Sequence, residues 1–295
     1  VIRVLALLLA ASLAATPQIR VDVRLVRVIA TVKNASGQAV GGLARDRFRI
    51  EDSGVPQEIA VFEPSSALPL SVAILIDASG STAKDLPSEI ASVKRFYRAL
   101  LREGNPDDAV SILSFNYDVA QVSPFTRREA RLEAGLKRIR GEAGTSLYDA
   151  VHLAAAELES RSGRKAMAIV TDGGDTTSTY AFRDALKAAH QADAVVYPIV
   201  VQPIVNDAGR NVGGENALAS LAQGTGGRVF QASLGEALDE AFSSVLRDLR
   251  TQYLLAYYPR NLPPTAPAFR PIRVSLAGEP GLRVSARSGY YGDSR

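Results

Sequence analysis

The stretch Leu70-Ser71-Val72-Ala73-Ile74-Leu75-Ile76-Asp77-Ala78-Ser79-Gly80-Ser81 decides how this chain folds. Val72 to Ile76 is apolar without alternation, so the run predicts a strand covered on both faces, as in a parallel sheet. It ends abruptly in oxygen-bearing residues. Ligands of open α/β sheets bind beyond the carboxyl ends of the strands, near the point where strand order reverses. Asp77, Ser79 and Ser81 alternate along an extended turn, which lets their oxygens face one centre, and Gly80 permits a tight bend there.

Working outward, apolar runs at Val110–Phe115, Ala166–Val170, Val195–Val201 and Val229–Phe230 repeat the strand pattern. Helical spacing separates them. Leu86, Ile90, Val93, Tyr97 and Leu100 share one face, as do Leu132, Leu136 and Ile139, and then Leu147, Val151, Ala154 and Leu158. Buried strands alternating with amphipathic helices predict an α/β domain over residues 68–250, built on a doubly wound, mostly parallel, Rossmann-like sheet.

The flanks read differently. In residues 19–66, Val21, Val23 and Leu25 alternate with polar residues, and Val26, Val28, Ala30 and Val32 continue in the opposite parity, as across a β-bulge. Short strands around Phe48–Ile50 and Ile59–Phe62 follow, bounded by turn signals. Residues 251–293 return to strands at Tyr253–Tyr258, Ile272–Leu276 and Leu282–Ala286. Neither flank makes a sandwich alone, but together they supply about six or seven strands, near what an immunoglobulin-like sandwich needs. The expectation is one discontinuous β-sandwich module with the α/β domain inserted in it.

Two further strand ends carry oxygen donors. Gly144-Thr145-Ser146 precedes a helix, and Thr171-Asp172-Gly173-Gly174-Asp175 follows a buried run. Hydroxyl and carboxylate oxygens are hard ligands, suited to magnesium, manganese or calcium rather than zinc or copper. So few protein ligands leave part of an octahedral shell for water or an incoming carboxylate. Taken singly, Ser79, Ser81, Thr145 and Asp172 read as helix or turn caps. Their joint placement at strand ends favours a metal, while Asp175 reads as a cap.

Asp-x-Ser-x-Ser at Asp77, a Gly-Thr loop at Thr145 and Thr-Asp-Gly at Asp172 resemble the metal-ion-dependent adhesion site of von Willebrand factor A-type domains, in order as well as spacing. The resemblance implies that Asp77, Ser79, Ser81, Thr145 and Asp172 hold magnesium or manganese, with calcium as a third candidate. It also implies that the two serines touch the metal and that an Asp or Glu from a protein ligand completes the shell. The flanking motifs Val40-Gly41-Gly42-Leu43, Asp46-x-Phe48-x-Ile50-Glu51-Asp52, Gln252–Tyr258 and Ser288-Gly289-Tyr290-Tyr291 are similar to the variety of this domain abundant in Acidobacteria. That similarity brings no defined partner.

Composition bounds the alternatives. Apolar residues at 46% and charged residues at 22% fit a folded globular protein with a sizeable core. The absence of cysteine excludes disulfides, thiolate catalysis and cysteine-ligated zinc. With a net charge of only +3, and a denser patch at Arg127, Arg128, Arg131, Lys137, Arg138 and Arg140 that reads as a solvated helix face, no nucleic-acid partner is expected. Arg3, the apolar run Val4–Ala11 and the small residues Ser12 to Ala15 read as a signal peptide over residues 1–16. The expected protein is therefore exported (periplasmic, secreted or cell-surface), with no membrane span in the mature chain. No Gly-x-Ser-x-Gly elbow or phosphate-binding lysine loop is present, and His152 and His190 fall in predicted helices, so the reading is non-enzymatic. A structural subunit of a cell-envelope assembly, with the α/β domain as scaffold, is the alternative. A magnesium-dependent phosphatase-like hydrolase is a remote one, because Ser79 stands where its second acid belongs.

Overall fold

A computed structural model describes residues 25–64, 68–82, 84–172, 174–201, 212–262 and 268–292. The leader-like residues 1–16 and the parity change after Leu25 lie, wholly or in part, outside the described residues. In chain order, the first flank holds β1 (Val26–Lys33), β2 (Phe48–Asp52), β3 (Val55–Gln57) and β4 (Val61–Pro64). The centre holds β5 (Leu70–Asp77), α1 (Leu86–Glu103), β6 (Ala109–Phe115), β7 (Val119–Thr126), α2 (Glu129–Leu136), α3 (Leu147–Glu159) and β8 (Arg164–Thr171). It continues with α4 (Phe182–Gln191), β9 (Ala194–Val201), α5 (Val212–Thr225), β10 (Phe230–Ala232) and α6 (Glu236–Arg250). The second flank holds β11 (Tyr253–Tyr257), β12 (Phe269–Leu276), β13 (Arg283–Ala286) and β14 (Gly289–Tyr291).

The central sheet runs β10-β9-β8-β5-β6-β7. All neighbours are parallel except β6 and β7, which pair antiparallel at the edge. All eight residues of β5 are buried. Fully burying a Val, Leu or Ile side chain contributes about 1.5–3 kcal/mol, so the strand cannot slide in register without a large loss, and Asp77 is fixed at its end. One face of the sheet packs on α1, α2 and α6, where Phe96 and Phe242 stack at 4.7 Å between ring centres. The other face packs on α3, α4 and α5. The doubly wound, mostly parallel architecture is as the sequence implies.

Strands from the two flanks interleave into two antiparallel sheets, β13-β1-β11-β4 and β14-β12-β2-β3. They enclose one core containing Val28, Phe48, Ile50, Leu255 and Tyr257. Asp52, wholly buried at the end of β2, accepts hydrogen bonds from the hydroxyls of Tyr257 and Tyr290, each at 2.9 Å. Tyr257 belongs to the opposite sheet, so one carboxylate ties the two layers together and gives the C-terminal tyrosines a packing role. The described strands of these sheets number eight rather than six or seven. The short β3 and β14 carry too few residues to show a period.

The α/β unit and the flanking sheets also meet directly. α6 ends at Arg250 and β11 begins at Tyr253. Gly226, after α5, has φ +88°, and a Cβ there would lie 2.7 Å from the carbonyl carbon of Ala286 at the end of β13. Asp108, just before β6, is buried: it accepts the N–H groups of Leu70 and Asn105 and so secures the start of β5. The basic patch is likewise only partly a solvated face. Arg127 donates to the carbonyls of Leu101, Asn105 and Asp108, and Arg138 to that of Val122.

Candidate metal centre

Strand order reverses at β5, whose neighbours β6 and β8 leave in opposite directions. Asp77 sits at the carboxyl end of β5, fully buried. One of its oxygens accepts the Ser79 N–H at 2.9 Å and the other the Thr171 hydroxyl at 2.6 Å. Ser79 and Ser81 Oγ atoms lie 3.0 Å apart. The next helix starts from Asp85, and the Thr82 carbonyl accepts the N–H groups of Asp85 and Leu86. Ser79 and Ser81 are therefore not the helix caps that each would be taken for alone. Gly80 is not forced by backbone conformation, and a side chain there would meet open space.

The other two loops are locked to this turn and to each other. Glu142 N–H donates to Ala78 C=O at 3.0 Å, and Thr176 N–H to Thr145 C=O at 2.9 Å. Thr145 N–H in turn donates to the hydroxyls of Thr176 and Thr177. Gly144, at φ +87°, packs so closely on Tyr117 that a Cβ would come within 2.9 Å of its Cα. Asp149, in the first turn of α3, accepts the N–H groups of Thr179 and Tyr180. Asp175 accepts from Tyr148 N–H and the Ser178 hydroxyl, as expected of a cap. These bonds fix Thr145 against the segment that follows Asp172. Among the described residues, the Thr145 hydroxyl and the Asp172 carboxylate take part in no hydrogen bond of their own.

One residue of the site escaped the sequence reading. Glu89, in the first turn of α1, is 1% exposed, and neither of its carboxylate oxygens has a hydrogen-bond partner. Burial pushes its pKa up to about 8, reinforced by the charges of Asp77, Asp85 and Asp172. Burial also raises Asp77 to about 6 against the pull of its hydrogen bonds, with Asp172 adding repulsion. Among the described residues, none of Asp77, Asp85, Glu89 and Asp172 has an ion-pair partner. Glu89 lies three residues from Leu86 and four from Val93, on the apolar face of the helix. That misplaced charge was the signal available in the sequence.

Mutually repelling carboxylates beside several hydroxyls fit a hard divalent cation. No group of three or more His, Asp or Glu side chains gathers as a metal site among the described residues, so a cation here depends on the hydroxyls of Ser79, Ser81 and Thr145. His152 stacks on Tyr180 at 3.8 Å, and His190 is buried at the far end of the domain. Neither is placed to act at this centre.

Residues 72–175 match the family model of the von Willebrand factor type A domain. The chain contains a domain of that family, with its mostly parallel six-stranded sheet and additional antiparallel sheets. Among solved structures, proximal thread matrix protein 1 from the mussel byssus is 17% identical, with a TM-score of 0.53 over 68% of this chain and 51% of that one. BatB from Bacteroides thetaiotaomicron is 19% identical over 60% of this chain and 97% of its own, with a TM-score of 0.48. The PilB minor pilin of Streptococcus sanguinis is 13% identical over 62% of each chain, with a TM-score of 0.49. Such likenesses speak to fold alone. No curated protein matches the chain. Among the described residues, no helix is long and apolar enough to cross a membrane.

Proposed function

We propose that this chain is a non-enzymatic binding module of an exported protein, in which a divalent cation captures an acidic side chain of a protein partner. Asp77, Ser79, Ser81, Thr145 and Asp172 would hold magnesium or manganese. The cation would supply a Lewis-acid anchor for the partner's Asp or Glu. The chain's own part is to keep the site's oxygens in place. Thr171 and the Ser79 N–H orient Asp77, and the locked loops hold Thr145. The observation that carries the reading is the pair of buried carboxyl groups of Asp77 and Glu89, which burial and the charge of Asp172 hold back from ionising and which a cation would relieve. With Ser79 where phosphoryl transfer of the phosphatase type requires a second acid, hydrolysis has no support in the residues.

A panel of aspartate- or glutamate-bearing peptides tests this. Capture should need magnesium and be lost both in excess chelator and in Ser79→Ala. Capture that survives chelator would overturn the reading and favour the envelope-assembly role, with the domain as scaffold.

A further inference from the structure

At the opposite end of the central sheet, β8 and β9 begin against the flanking sheets. A cavity of about 20 Å³ lies there, bordered among others by Arg27, Arg164, His190, Asp193, Thr225 and Arg287. A single water needs ~10–15 Å³ of such space, so the cavity takes one occupant of about atomic size.

The charge of its lining does not balance. Its lining includes three arginines and one carboxylate, with the buried Asp108 acting on Arg164 from outside the lining. Arg287 pairs with Asp193. Arg164, which is buried, donates among the described residues to the backbone carbonyls of Leu68 and Leu249. Arg27 donates to the carbonyl of Gly163. Arg287 Nε and both ring nitrogens of His190 are buried without a hydrogen-bond partner. Burial, helped by the Arg287 charge, pushes His190 down to about 4, so its ring is neutral at ordinary pH and offers a donor without adding charge. Unpaired donors call for an acceptor, and a water would satisfy them but leave the excess positive charge uncompensated.

We propose that this cavity is a site for a small inorganic anion of the halide type, bound where the α/β domain meets the flanking sheets. Its size suits a monatomic anion better than sulfate, phosphate or a carboxylate. The site lies at the other end of the strands from the candidate metal centre and is independent of that reading.

The test is to crystallise the full chain with bromide in place of chloride and to locate the anomalous scattering. In parallel, melting temperatures are compared in chloride and gluconate at equal ionic strength. The expected result is a bromide peak in the cavity beside Arg164 and Arg287, with a melting temperature a few degrees higher in chloride. That difference should shrink in Arg27→Gln, where a half-buried residue changes and the core stays whole. A cavity that holds only water in the bromide crystals overturns the proposal. So does a chloride effect of equal size in the variant.

Discussion

The two ends of the central sheet are built from the same strands and carry opposite chemistry. At the carboxyl ends, Asp77, Glu89 and Asp172 lie near enough to repel one another and, among the described residues, have no ion-pair partner. At the amino ends, Arg164 and Arg287 are buried beneath the flanking sheets, and Arg164 spends its hydrogen bonds on backbone carbonyls. One end crowds carboxyl groups that a cation would relieve, and the other holds buried donors beneath the flanking sheets. The comparison teaches where the stability resides. Tight packing at the amino end and along the buried strands lets the carboxyl end keep a destabilising arrangement of carboxylates, as functional sites commonly do.

The largest blow to this contrast should come at the closed end. In Gly226→Ala the new methyl would collide with the backbone of Ala286 and Arg287 in a left-handed conformation, costing about 3 kcal/mol in urea unfolding. Magnesium binding should be unimpaired in whatever fraction stays folded. At the open end, saturating magnesium at a hundredfold excess over Kd should stabilise the parent by about 2.7 kcal/mol. Asp77→Ala should lose that gain, read as a melting temperature indifferent to metal.

Per pH unit, a smaller effect follows from Glu89. Its folded pKa of about 8 lies above the usual 4.5, so the folded state holds the proton more tightly than the unfolded one. Stability of the metal-free chain is therefore full below that window and falls as pH rises through it, by at most about 1.4 kcal/mol per pH unit for one group. Glu89→Gln should flatten the decline in a melting series across pH. An unchanged slope would mean that the carboxylate is relieved in some other way. The smallest effect is expected at Tyr117, 67% exposed beside Gly144. Tyr117→Ala should move stability by less than about 0.5 kcal/mol while weakening capture of an acidic peptide.

Much of this was legible in the sequence because burial on both faces leaves an unmistakable signature. The run Val72–Ile76 and its counterparts gave the parallel sheet, and the polar residues just past their ends gave the candidate centre. β7 was missed because an edge strand with a mixed burial pattern, Val119 to Thr126, has neither a continuous apolar run nor clean alternation. The role of Asp108 was not legible because nothing local distinguishes a carboxylate on a surface turn from one that closes the start of a neighbouring strand 38 residues away in sequence. Glu89 was missed for a related reason: a lone charge on an apolar helix face gains meaning only once β5 and β8 bring Asp77 and Asp172 beside it. The arginine-lined cavity depends on contacts between the α/β unit and both flanks, which no local pattern contains.

The central claim is that the carboxyl end of the sheet binds a divalent cation through Asp77 and its neighbouring hydroxyls. Calorimetric titration of magnesium and manganese into the metal-free chain, beside Asp77→Ala, tests it most directly. Saturable binding is expected in the parent and none in the variant. Binding of equal strength in both, or no binding in the parent, would contradict it.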